Sequence, residues 1–128
     1  MERHEAGLKK KSFSLFYNGG EIWFEHLDSL YDKKELLIEK FQQDLLNIDR
    51  PSTSSFIAVV LDESDVDLEI LELIVEGFVG LKKQIRKVVF VGLPAKMKNY
   101  IKKRKTSTLF AMTCIDDLEK AKEWLITK

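Results

Sequence analysis

The first ordered run, "SFSLFYNGGEIWFEH", alternates: Phe13, Leu15 and Tyr17 point one way along an extended chain. Asn18-Gly19-Gly20 supplies a turn, and Ile22 and Phe24 resume the alternation, which predicts a β-hairpin. The period then changes. Leu30, Leu37, Ile38, Phe41, Leu45 and Ile48 form a stripe at helical spacing, with Ser29 as the expected N-cap and Asp32 three residues on. The run Asp49-Arg50-Pro51-Ser52-Thr53-Ser54 breaks that helix.

"FIAVVL" is apolar without a break and rich in β-branched residues, the pattern of a strand covered on both faces. From about 66 to 82 Leu71, Ile74, Val75, Phe78 and Leu81 share one helical side. Ile70, Leu73, Gly77 and Gly80 make a second side that can pack closely. "KVVFVG" is another buried strand, and Pro94 stands where a first helical position is expected. Met97, Tyr100 and Ile101 carry that helix to about Arg104, and "LFAMTC" reads as a short strand. Asp116 with Glu119 marks the start of a last helix whose Leu118, Ala121, Trp124 and Leu125 face inward. The order ββαβαβαβα predicts a single α/β domain with a mixed, mainly parallel sheet and an antiparallel edge from the hairpin.

A chain of 128 residues suits one core, and 45% hydrophobic with 33% charged residues is ordinary for a globular protein. The formal net charge is zero, so any pull toward nucleic acid or an anionic membrane has to come from a local patch. One cysteine, Cys114, precludes an internal disulfide and suits a reducing cytoplasm. "MERHEAGLKKK" has no apolar core and reads as a loose tail over residues 1–11, not a secretory signal. No apolar run approaches the roughly 20 residues of a membrane span.

The charge is unevenly distributed. Residues 61–76 hold seven acids and no base, and residues 82–105 hold ten Lys or Arg and no acid. In "LDESDVDLE", Asp65, Asp67, Glu69 and Glu76 fall at positions 1, 3, 5 and 12 of a calcium loop, but position 6 is Ile70 where the sharp turn needs Gly. The stretch reads instead as a strand end and an acid-rich helix start, capped by Ser64 or Asp65. Asp62 lies where open α/β sheets place ligands, at the carboxyl edge of a strand.

Lys98, Lys102 and Lys105 share a helix face, with Lys103 beside them, a candidate patch for an anion or membrane surface or else a solvated face. Tyr100 is the sole aromatic residue nearby, which argues against nucleic-acid recognition. "VGLPAK" places Gly92 between a strand and a helix N-terminus but lacks the phosphate-loop patterns, so it reads as a tight turn. His4, His26 and Cys114 form no catalytic or zinc pattern, and neither a metal nor a cofactor is expected.

The second half of the chain resembles the STAS domain of sulphate transporters and anti-sigma factor antagonists. "KVVFVGLPAKMKNYIKKRK" is similar to that family's strand, turn and third helix, and "CIDDLEKAKEWL" to its closing helix. "IAVVLDESDV" is similar to the strand that ends in Asp before the second helix. The resemblance covers residues 55–128 well and 12–54 by element order. It implies a STAS-like domain over 12–128, in a bacterial-type cytoplasm.

The antagonists carry Asp-Ser-Ser-Gly at the regulatory turn. Here the corresponding residues are Asp62-Glu63-Ser64-Asp65 or Ile70-Leu71-Glu72-Leu73, both without the Gly. A phosphate on Ser64 would meet nearby carboxylates. The expectation is a non-catalytic regulatory or protein-interaction domain, binding another protein through Asp62, Ser64, Asp65, Asp67, Glu69 and Glu72, and able to form a homodimer. The alternative is a CRAL-TRIO-like carrier of a lipid or small apolar ligand, with the aromatic-rich hairpin near the ligand.

Overall fold

The computed structural model describes residues 10–127. Five strands, β1 (Phe13–Tyr17), β2 (Gly20–His26), β3 (Phe56–Val60), β4 (Lys87–Val91) and β5 (Ala111–Cys114), lie side by side in sequence order. Four helices connect or follow them: α1 (Lys34–Ile48), α2 (Leu68–Val79), α3 (Ala95–Arg104) and α4 (Leu118–Ile126). β1 and β2 are antiparallel, and the remaining pairs are parallel. The α/β class and the mixed, mainly parallel sheet follow the pattern read from the sequence.

The hairpin closes through Asn18 and Gly19, both at positive φ (48° and 84°), with Tyr17 opposite Gly20. That is the two-residue turn whose twist matches the strands. From β2 onward each strand is added on the same side of the last. Right-handed crossovers then put α1, α2 and α3 on one face. There Trp23, Ile57, Val59, Val88 and Phe90 meet Leu37, Phe41, Ile74, Phe78 and Ile101. α4 follows the last strand without a crossover and covers the opposite face, where Ala121 and Leu125 meet Ile22, Phe24, Ala58, Val89 and Val91.

The α1–α2 contact is tight. Phe41 meets Phe78 edge-on at 5.4 Å between centroids, and a Cβ on Gly77 would lie 2.7 Å from the Phe41 ring and 2.9 Å from Leu45. The close-packing role expected for Gly77 is therefore real.

Several boundaries differ from the expectation. α1 starts at Lys34, and Ser29 does not cap it; Ser29 sits at φ 61° and donates its N–H to the Asp62 carbonyl. α2 starts at Leu68 and is capped by Asp67, whose carboxylate accepts the Ile70 N–H at 2.8 Å. Neither Ser64 nor Asp65 is the cap, because both are used in pairing two loops. α4 is capped by Asp117, which accepts from Glu119 and Lys120, and not by Asp116. Leu109 and Phe110 precede β5, and Leu118 is partly exposed. The expected tail falls mostly on residues outside the described ones; at its end Lys10 bonds Asp28.

Candidate functional site

Beyond Val60 the chain does not turn at once into a helix. It stays extended and continues to pair with the segment that follows β2. Leu27 N–H donates to Val60 (2.9 Å), Ser29 to Asp62 (2.8 Å) and Tyr31 to Glu63 (2.9 Å), while Asp65 donates back to Tyr31 (2.8 Å). Ser64 clasps the two loops. Its hydroxyl donates to the Leu27 carbonyl and accepts the Leu30 N–H at 3.0 Å.

The pairing holds Ser29, Tyr31 and Glu63 at φ 61°, 49° and 59°. Each left-handed non-Gly residue costs roughly 1–2 kcal/mol. Such strain persists where surrounding contacts over-determine it.

The result is a rigid ledge at the carboxyl edge of β2, β3 and β4, the edge where open α/β sheets hold ligands. Asp62, Glu63, Asp65, Asp67, Glu69 and Glu72 are all exposed on it or on the first turns of α2. Tyr31 (43%) and Leu68 (47%) add exposed apolar surface. A shallow depression of about 430 Å³ lies between Asp32, Lys34, Asp65, Asp67, Ile70 and Pro94. Lys34 pairs with Asp67 (3.1 Å) and Glu69, and these partners raise its pKa. The Ile70 N–H and Lys34 hold the Asp67 carboxyl below its usual range.

Of the six residues singled out in the sequence, five present carboxylates to solvent. Ser64 does not belong with them. It is 9% exposed and both hydrogen-bonding roles of its hydroxyl are taken inside the ledge.

The lysine patch divides. Lys98 bonds Asp116 at 2.7 Å, and Asp116 also accepts the Gly92 N–H. The strand-to-helix turn thus turns its donor toward the protein's own carboxylate. Gly92 is at φ 89°, and a Cβ there would strike Asp62. Lys102, Lys103 and Lys105 are exposed at the far end of α3 and form no ion pair among the described residues. Arg104 beside them pairs with Glu76.

A second cluster went unrecognised in the sequence. Glu25 on β2 is fully buried against α1. Its Oε1 accepts the Trp23 indole N–H at 2.9 Å, and no donor among the described residues faces Oε2. Burial, and then the neighbouring Asp44 carboxylate, raise its pKa well above the ordinary value. Asp44 and Ser12 both bond Lys40, at 2.7 Å each. A proton on Glu25 would let it donate to the Asp44 carboxylate and give the orphaned oxygen a partner. Asp44 itself is held low, its burial outweighed by Glu25, Lys40 and Ser12.

Next to it His26, which showed no partner in the sequence, bonds Asp28 at 3.0 Å and stacks on Phe13 at 5.5 Å. The alternation could have revealed Glu25: it shares a strand face with Trp23.

Burial pushes the Cys114 thiol up to about 11, which leaves it a poor nucleophile at neutral pH. Among the described residues no group of three or more His, Cys, Asp or Glu is placed to hold a metal ion. No described helix is long and apolar enough to cross a membrane. Comparison with known protein families, curated proteins and solved structures finds no match to this chain.

Proposed function

We propose that the chain is a STAS-like module that works by protein–protein contact, without catalysing a reaction, through the acidic ledge and the start of α2. The strained, doubly paired ledge carries this reading. Three left-handed non-Gly residues are held in one short region, and the surface they support exposes six carboxylates beside Tyr31 and Leu68. Strain of that kind is kept where a fixed shape is useful. The complementary partner presents Lys or Arg side chains around an apolar spot.

Ser64 supports a fixed rather than a switchable surface. A phosphate on its oxygen needs both loop bonds broken and then adds about −1.5 to −2 charge among carboxylates. The carrier alternative gains no support from the helix pair: α1 and α2 are packed so closely that Gly77 has no room for a methyl group.

Capture of partners from the source cytosol by the wild-type chain and by Asp65→Lys with Glu69→Lys, followed by mass spectrometry, tests the proposal. A partner lost by the double variant, with an unchanged thermal melt, is the expected result. Equal capture by both proteins sinks it.

A further inference from the structure

The opposite end of the molecule has the reverse character. The carboxyl ends of α2 and α3 and the loops that follow them meet there. Leu109, at the tip of the loop before β5, is 90% exposed, and Val79 at the end of α2 is 46% exposed. Between them opens an apolar groove of about 270 Å³, walled by Phe78, Leu81, Ile85 and Phe110. A leucine this exposed, beside a groove it does not fill, is surface with no cover inside the chain. Lys82 and Lys83 line the groove, and Lys102, Lys103 and Lys105 lie on the last turn of α3 and just after it, four to seven residues before Leu109 in the chain. Lys82, Lys102, Lys103 and Lys105 make no ion pair among the described residues.

Two of the acids that approach are already engaged, and a third, Glu21, faces Lys83. Glu76 is paired with Arg104, and Asp49 accepts the backbone N–H groups of Lys82 and Lys83. Other basic residues of the segment are also used internally. Lys83 bonds the carbonyls of Arg50 and Thr53, and Lys87 those of Trp124 and Thr127. Of the lysines that stay unpaired, Lys82, Lys102, Lys103 and Lys105 fall on the elements that end or begin at this end of the molecule.

We infer that this end docks on an anionic lipid bilayer, with Leu109 inserted below the headgroups and Lys82, Lys102, Lys103 and Lys105 against the lipid phosphates and carboxylates. An exposed apolar tip at an end of the molecule that also carries unpaired lysines suits both layers of such a surface, hydrocarbon below and negative charge above. It also leaves the acidic ledge, at the other end of the strands, facing away from the membrane and open to a protein. The inference stands on this end alone and does not depend on what the ledge binds.

Co-sedimentation of the full chain with vesicles of phosphatidylcholine alone, or with roughly 30% anionic phosphatidylserine added, tests it. Binding is expected to the anionic vesicles only, and to fall sharply when salt is raised toward 1 M, where the Debye length shrinks to about 3 Å. Lys103→Ala with Lys105→Ala should weaken it about 25-fold, at roughly fivefold per lysine. Leu109→Asp should weaken it at least tenfold from the lost burial. Because Leu109 is almost fully exposed, that variant keeps the fold, and an unchanged melt confirms it. No binding to anionic vesicles at low salt, equal binding to neutral ones, or tighter binding to duplex DNA at the same salt overturns the inference. Full binding by the Leu109→Asp variant does so too.

Discussion

Glu25→Gln separates two readings of the buried cluster. If Glu25 is neutral in the folded protein, glutamine reproduces it. The amide oxygen keeps the Trp23 indole bond, and the amide NH2 donates to Asp44 as the protonated carboxyl does. In the wild type, an acid whose folded pKa lies above its unfolded value stabilises the fold fully below the unfolded pKa, about 4.3 for Glu. That stability is lost as pH rises toward the folded pKa, at about 1.36 kcal/mol per pH unit. Glutamine does not titrate.

The difference in unfolding free energy between variant and wild type should therefore be flat below about pH 4. Above that it should widen in the variant's favour by about 1.36 kcal/mol per unit until the folded pKa is passed. The lysine nearby does not favour an ionised Glu25 enough to reverse this. Lys40 Nζ is directed at Ser12 and Asp44, and burial is the largest influence on Glu25. Urea unfolding followed by circular dichroism, every half unit across the range where the native state persists, measures the difference. A constant offset at all pH values refutes the reasoning. So does a loss of about 3–5 kcal/mol at pH 7, the cost of breaking a buried ion pair.

Two further predictions concern the neighbouring loops. Burial alone would raise the Asp28 carboxyl, but His26, Lys10 and its own backbone N–H outweigh it and hold the group at about 2. A depressed carboxyl stabilises above its unfolded pKa and loses that contribution as pH falls from about 4 through about 2. Asp28→Asn should thus cost about 2 kcal/mol at pH 7, at 1.36 kcal/mol per unit, falling to less than about 0.5 kcal/mol near pH 2; parallel acid-unfolding curves contradict it. Ser64→Ala strands the Leu30 N–H and the Leu27 carbonyl inside the ledge, and should cost about 1–3 kcal/mol in urea unfolding. A neutral substitution would mean that the clasp is dispensable.

How far the site could be read in advance differs by element. The exposed carboxylates of "LDESDVDLE" were legible because charged side chains on a first helical turn face water under almost any packing. Their neighbour Ser64 was not. Its burial depends on Leu27 and Leu30, more than thirty residues away, and no periodicity reports a contact of that range. The caps slipped for the same reason: Ser29 and Asp65 gave up their backbone groups to loop pairing, leaving Lys34 and Leu68 to begin the helices. Asp116, the expected cap of the last helix, is drawn instead to Lys98 and the Gly92 N–H.

The element order, the hairpin turn at Asn18-Gly19 and the mainly parallel sheet were set by local chemistry: alternation, turn residues and right-handed crossovers, each readable within one segment or two neighbours. Charge segregation was equally visible, since the acidic and basic runs are contiguous in the chain. Tertiary structure alone decided which charges remain free. Folding spends Lys34 on Asp67 and Glu69, Arg104 on Glu76 and Lys98 on Asp116, and leaves Lys102, Lys103 and Lys105 without an ion pair among the described residues and Leu109 exposed. It also moves Glu25 from an ordinary strand residue to a buried acid beside Asp44. A side chain's charge is written in its chemistry, but the solvent and partners that determine its energy are supplied by distant parts of the chain.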